Sequence, residues 1–195
     1  MTSDRTYTPG GKTAEDRLQA LLDGRYRDPD TGKPVALATK SLVIADSLSG
    51  MEADLVGALD MGRRLAVVSD VATHAVLGLQ VERALAGRFD MQSLILPADP
   101  LPDDATAERL RAATRDVDGY LAVGSGTIND LTKYVSALAR KPYAVFGTAP
   151  SMNGYVSLTA SITMHGHKMT VPAQAPRGAF FDLDVLAAAP ARMIR

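Results

Sequence analysis

Five short apolar runs recur along this chain, and amphipathic stretches of helical spacing fill the gaps between them. The runs are SLVIADS (41–47), RLAVVSD (64–70), MQSLILP (91–97), GYLAVGS (119–125) and PYAVFGT (142–148). The intervening stretches are 50–62, 71–87, 103–116 and 128–141. Strands that are apolar throughout must be covered on both faces, and helices between them make the strands parallel. This rhythm predicts an open, Rossmann-like α/β sheet with helices on both faces up to about residue 150. The chain has 195 residues, 46% of them hydrophobic, which suffices for one well-buried domain or one domain plus the beginning of another.

The ends read differently. Residues 1–13 are polar and Gly-rich and are expected to be flexible. AEDRLQALLDG (14–24) has helical spacing and stops at Gly24. RDPDTGKP (27–34) is loop chemistry. After residue 155 the period changes: VSLTASITMHGHKMTVPA (156–173) alternates and turns around His165-Gly166-His167, which predicts a β-hairpin. GAFFDLDVL (178–186) is another short strand, and AAAPARMIR (187–195) reads as the first turns of a helix with Pro190 near its start. The expected organisation is a flexible 1–13, an α/β domain over 14–187 including the hairpin, and the start of a helical domain at 188–195.

Net charge is −1, so no global field draws the chain to nucleic acid or an anionic membrane. The chain contains no cysteine, which excludes a disulfide framework and a thiolate metal site and suits a reducing compartment. The first residues have no apolar signal core, and no stretch approaches the roughly 20 apolar residues of a membrane span. A cytoplasmic protein is the expectation.

LAVGSGTINDLTKY (121–134) carries the strongest chemical signal. A buried strand ends, Gly124, Ser125, Gly126 and Thr127 follow, and a helix begins. Glycines let backbone approach an anion, and the helix start offers unpaired N–H groups. In open α/β sheets ligands sit at this carboxyl edge. Thr127 can cap the helix or donate to a phosphate oxygen. Ile128, Leu131, Val135 and Leu138 form the stripe that docks on the sheet. The segment is neither a G-x-G-x-x-G nor a Walker A motif, and a tight turn with no ligand is the plainer alternative. Asp70, at another strand end, either binds a ribose diol or caps the helix starting at Val71. TAPSMNGYVS (148–157) either lines the same edge, with Thr148 and Ser151 toward a cofactor and Asn153 toward a substrate hydroxyl, or is an ordinary Pro-Ser and Asn-Gly turn. His165 and His167 flank a hairpin tip without a third ligand nearby, and His74 lies in a helical pattern; none is expected to hold a metal.

Four segments together resemble one family: GSGTINDLTKY, PYAVFGTAPSMNGYVS, ASITMHGHKMTVPAQAP and FFDLDVLAAAPARMI. They look like successive blocks of sn-glycerol-1-phosphate dehydrogenase, in the superfamily of iron-containing alcohol dehydrogenase, glycerol dehydrogenase and dehydroquinate synthase. DPDTGKP with TKSLVIADSL resembles its bacterial branch. The resemblance implies reversible reduction of dihydroxyacetone phosphate to sn-glycerol 1-phosphate by NADH or NADPH, with zinc or nickel polarising the carbonyl. It implies that Gly126, Thr127, Ile128, Asn129, Asp130, Thr148, Ala149, Pro150, Ser151 and Ser157 bind the dinucleotide. Gly124 and Ser125 belong to the same turn. Asp70 matches the acidic position near the adenosine ribose and leans toward NAD over NADP by repelling a 2′-phosphate.

Position 153 implies substrate contact, but the family places Asp where this chain has Asn153. The family's metal ligands, an Asp and two His of a C-terminal helical domain, are expected beyond Arg195, so no catalytic or metal position falls within this chain. The reading is therefore the cofactor-binding half of a dehydrogenase. Its alternatives are a non-catalytic nucleotide-binding module or a dehydrogenase of another polyol or polyol phosphate. Without the helical domain, an apolar face around FFDLDVL is expected to favour self-association.

Overall fold

The computed structural model describes residues 14–35 and 38–193. The expectations for residues 1–13, for a flexible N-terminus, and for residues 194–195 lie outside that set. The first element among the described residues is helix α1 (Ala14–Leu22), and the chain enters the sheet at β1 (Ser41–Ala45). Helix α2 (Glu52–Gly57) leads to β2 (Arg64–Asp70). A helix interrupted by one π turn follows: α3 (Val71–Thr73), the π segment His74–Gly78, and α4 (Leu79–Leu85). Next come β3 (Asp90–Leu96), α5 (Asp104–Ala113), β4 (Gly119–Gly124), α6 (Gly126–Ala139) and β5 (Tyr143–Gly147). The hairpin β6 (Thr159–Met164) and β7 (His167–Pro172) precedes β8 (Gly178–Asp182) and a short α7 (Leu183–Ala187).

The sheet has six parallel strands in the order β1-β8-β5-β4-β2-β3. Period-2 alternation divides its side chains between two cores. Ala66, Val68, Tyr120, Ala122, Tyr143, Val145 and Ala179 face α5, α6 and the hairpin. Leu65, Val67, Leu121, Val123, Ala144, Phe146 and Phe180 face α2, the π segment and α4. Both faces of β2, β4, β5 and β8 are covered, as their uninterrupted apolar runs require, whereas the edge strands β1 and β3 have no fully buried residue and leave Ile44 and Ile95 exposed. No helix among the described residues is long and apolar enough to cross a membrane.

The structure corrects four expectations. GAFFD is inserted between β1 and β5, so Phe180 is fully buried and Phe181 packs against the core; Leu183 is the exposed apolar side chain of the segment, not a continuous face. The final helix begins earlier than the Ala-rich stretch, because Asp182 caps it by accepting from the Val185 N–H (3.0 Å). Pro190 instead precedes a 3₁₀ turn, Ala191–Met193. Leu138 is 48% exposed and lies off the α6 stripe. The π segment was not foreseen: the His74 ring lies over Gly78, where a Cβ would stand 2.9 Å from His74 Cδ2. His74 Nε2 sits 3.3 Å from Glu82 Oε2 across this turn.

The amino edge carries a carboxylate clamp. Asp118 Oδ2 accepts from the N–H groups of Arg63 and Arg64, and Oδ1 accepts from the Arg64 guanidinium at 2.9 Å. These bonds hold its carboxyl down at about 2. A carboxyl whose folded pKa lies below its unfolded value stabilises the fold above the unfolded value and loses that contribution as pH falls. We expect stability to decline as pH falls from the ordinary carboxyl value of 3.8 to about 2, and Asp118→Asn to flatten that decline. Denaturant midpoints across this pH range, with NMR titration of the carboxylate, check both.

Candidate functional site

The carboxyl edge is built around two glycines that end neighbouring strands. Gly124 closes β4 and Gly147 closes β5, paired in register. A Cβ on Gly124 would stand 2.6 Å from Ile128 Cβ, so the missing side chain lets α6 start directly against the strand. Helix α6 begins at Gly126, with Ser125 in the cap position but making no side-chain cap bond. Thr127 is thus in the first turn and does not cap, contrary to one of its two expected roles. A Cβ on Gly126 would lie 3.2 Å from Met152 Sδ, so this glycine admits the 148–157 loop close to the helix start.

Two buried side chains fix that loop. Tyr155 donates its hydroxyl to the Ala149 carbonyl (3.0 Å) and lies 3.4 Å from the Gly124 carbonyl, joining the ends of β4 and β5. Its ring meets Phe181 edge-on at 5.1 Å. Burial pushes its phenol up to about 12, so it stays a neutral donor. Lys133, wholly buried, donates to the Gly154 carbonyl (2.6 Å), Ser157 Oγ (3.0 Å) and the Thr159 carbonyl (3.1 Å). All three ammonium hydrogens have acceptors. Burial pulls its pKa below the ordinary lysine range, opposed by the Asp130 carboxylate 3.9 Å away. Burial likewise raises the Asp130 carboxyl, opposed by the bond that its Oδ2 accepts from the Ser161 N–H (3.0 Å). Sequence reasoning assigned no role to Lys133 or Tyr155. A lysine one turn beyond Asn129, three residues after Asp130, was the available signal.

Between the α6 start, the loop and the hairpin lies an open cleft of about 400 Å³. Gly126, Thr127, Asp130, Asn153 and Ser157 line it, so the structure brings five of the sequence-selected residues together. Others stand apart from its wall. Gly124, Ile128 and Asn129 are buried beneath it, and Thr148 and Ala149 are buried in the loop. Ser125 is partly buried, while Pro150 and Ser151 are exposed outside the lining. Asp70 forms a capping box: its Oδ1 accepts from the Thr73 N–H (2.8 Å), and Thr73 Oγ1 accepts from the Asp70 N–H (3.0 Å). The capping alternative is therefore realised. Asn129 Oδ1, buried in the second turn of α6, has no hydrogen-bond donor among the described residues. Such an acceptor needs a donor from elsewhere.

Among the described residues no group of three or more His, Cys, Asp or Glu side chains is placed to hold a metal. His165 occupies the hairpin tip at φ 52° with its side chain 89% exposed, and His167 opens β7.

An open parallel α/β sheet with a glycine-rich strand-to-helix turn at its carboxyl edge defines the class. The chain belongs to the iron-containing alcohol dehydrogenase family, whose profile matches residues 43–190. It is 38% identical over 134 residues to the glycerol-1-phosphate dehydrogenase [NAD(P)+] of Halalkalibacterium halodurans, covering 66% of this chain and 34% of that protein. The Bacillus subtilis protein of the same name is 34% identical over 138 residues, covering 68% of this chain and 35% of the relative. The chain thus spans about a third of the length of these curated relatives. Among solved structures, the glycerol dehydrogenase of Schizosaccharomyces pombe superposes with a TM-score of 0.69 at 19% identity, over 80% of this chain and 40% of that one. A probable glycerol dehydrogenase from Sinorhizobium meliloti gives 0.68 at 19%, over 80% and 42%. These structural likenesses concern the fold.

Proposed function

We propose that this chain is the cofactor-binding part of an NAD(P)-dependent dehydrogenase that interconverts dihydroxyacetone phosphate and sn-glycerol 1-phosphate. The observation that carries the reading is the apposition of the Gly126-Thr127 helix start and Asn153 across one cleft, in a chain whose curated relatives bear that enzyme's name. The site suits a dinucleotide: Gly126 leaves a cradle that a side chain would narrow, and the first turn of α6 has free N–H groups for a pyrophosphate. Gly126, Thr127, Asp130 and Ser157 would hold it in the cleft, with Gly124, Ser125, Ile128 and Asn129 shaping the turn beneath. Thr148, Ala149, Pro150 and Ser151 would border it along the loop, and Asp70 would face the adenosine end with the oxygen its cap leaves over. The bound nicotinamide supplies or accepts hydride. Asn153 would orient a substrate hydroxyl, as donor or acceptor but not as a base.

The described residues do not fit a catalytic metal, so no step is assigned to one here. Its ligands belong, in this proposal, to the part of the relatives that this chain does not span. Residues 14–187 then act as the cofactor domain, and 188–193 lead toward the metal-binding part. The reading is tested with the 195-residue chain. It should bind NADH weakly, seen as enhanced nicotinamide fluorescence, and should not reduce dihydroxyacetone phosphate. Turnover by this chain alone, or no NADH binding, would overturn it.

Asn153 also favours a second reading, in which the substrate is another polyol or polyol phosphate. Asn153→Asp should tighten glycerol 1-phosphate binding several-fold by converting a neutral hydrogen bond to a charge-assisted one, with NADH affinity unchanged. Unchanged affinity in calorimetric titration would separate position 153 from glycerol 1-phosphate.

A further inference from the structure

The hairpin has two unlike faces. Ala160, Ile162 and Val171 are buried in the core shared with α5 and α6. In the register of the pair, Ser161 stands opposite Thr170 and Thr163 opposite Lys168, so these four side chains share the other face. Ser161, Lys168 and Thr170 line the cleft with Thr127 and Asn153. Among the cleft-lining residues Lys168 is the one cation. Lys133 lies beneath the same site, but its three N–H groups are already donated. The Lys168 ammonium makes no hydrogen bond or ion pair with another described residue, although its charge reaches the Asp130 carboxylate.

Its mount is held from two sides. The Ser161 N–H is bound by Asp130 Oδ2 (3.0 Å). The Thr163 N–H donates to the Pro102 carbonyl (2.7 Å), and the His165 N–H donates to Asp104 Oδ2 (3.3 Å). A cation on β7, paired with the braced β6 and with hydroxyls on the same face, matches a phosphate monoester: one point charge for the dianion and donors for its remaining oxygens.

We propose that Lys168 is the specificity-determining residue of the cleft: it takes the substrate's phosphate, with Ser161 and Thr170 donating beside it, and so selects a phosphorylated over a free polyol. The proposal deepens the dehydrogenase reading and rests on it. Its sequence signal is the Gly-x-Lys after the hairpin tip, to which no role was assigned from sequence.

The test uses the 195-residue chain at constant low ionic strength, because an exposed charge is screened by salt. NMR titrations with glycerol 1-phosphate, glycerol and inorganic phosphate are compared for wild type, Lys168→Met and Lys168→Arg, with NADH fluorescence run in parallel. Lys168→Met should weaken glycerol 1-phosphate and phosphate about tenfold, the lower end for a charged hydrogen bond. Glycerol and NADH should stay within about twofold of wild type, and Lys168→Arg should recover most of the loss. Loss of NADH binding with no change for glycerol 1-phosphate would assign Lys168 to the dinucleotide and overturn the proposal. Equal binding of glycerol and glycerol 1-phosphate by wild type would also overturn it. If wild type binds phosphate through Lys168 but does not bind NADH, the dehydrogenase reading fails while the anion site stands.

Discussion

Replacing Lys133 with alanine should cost about 3–5 kcal/mol of folding stability, the range for removing one member of a buried charged network. The ammonium holds two backbone carbonyls and Ser157 Oγ, and all of them lose a donor at once. Lys133→Met keeps most of the aliphatic stem, so its cost should fall toward about 3 kcal/mol, with the orphaned acceptors as the cause. A domain of this size has on the order of 5–15 kcal/mol in total, so the alanine variant approaches the limit of folding. Urea unfolding monitored by circular dichroism measures both variants. A loss below about 1 kcal/mol would mean that the 154–159 segment keeps its place without the ammonium. NADH fluorescence on the folded fraction of Lys133→Met then reports whether loop position sets cofactor affinity.

Gly124→Ala should destabilise the fold by about 1–3 kcal/mol, as overpacking of a filled core does. The new Cβ would lie 2.6 Å from Ile128 Cβ and 2.8 Å from its Cγ1, both within the buried β4–α6 contact. Ile128 has no room to withdraw, so α6 must lift from the sheet and carry its first turn away from the cleft. NADH binding should drop by about tenfold or more, each factor of ten corresponding to about 1.4 kcal/mol. Gly126→Ala is the informative contrast. Its Cβ would meet only the Met152 side chain, Sδ at 3.2 Å and Cγ at 3.9 Å, and a methionine adapts readily. That variant should keep its stability within about 0.5 kcal/mol and still lose cofactor affinity. If both variants unfold at the wild-type midpoint, the glycine at 124 is not required for helix docking.

The framework of this fold was legible because buried parallel strands leave a distinct trace. LAVV, YLAV and YAVF carry no polar interruption, and α5 and α6 show helical spacing between them. The hairpin was legible from alternation and from His165-Gly166, which adopts positive φ at both positions. The position of β8 was not, because a five-residue apolar run fits anywhere in a sheet and its partners are distant in sequence. The strand-to-helix turn was readable from its glycines, and the 148–157 loop as its neighbour at the same edge, where Gly126, Thr127 and Asn153 line one cleft. Lys133 was not, because a helical lysine is ordinarily solvated and only the folded loop supplies its three acceptors. Asp70 could be read as a cap or a ligand, and the Thr73 partner three residues on was the cue for the cap.

The place of β8 bears on how the molecule is made. Ser41 of β1 pairs with Gly178 of β8, and β8 is also the neighbour of β5. During synthesis β1 therefore emerges early and has no partner until nearly the whole span has left the ribosome. The β2-β3-β4-β5 half can assemble meanwhile, since its pairings are closer in sequence. The last strand then acts as a keystone wedged between two preformed pieces, and the waiting β1 is an open edge for chaperones to shield or for a neighbouring chain to capture.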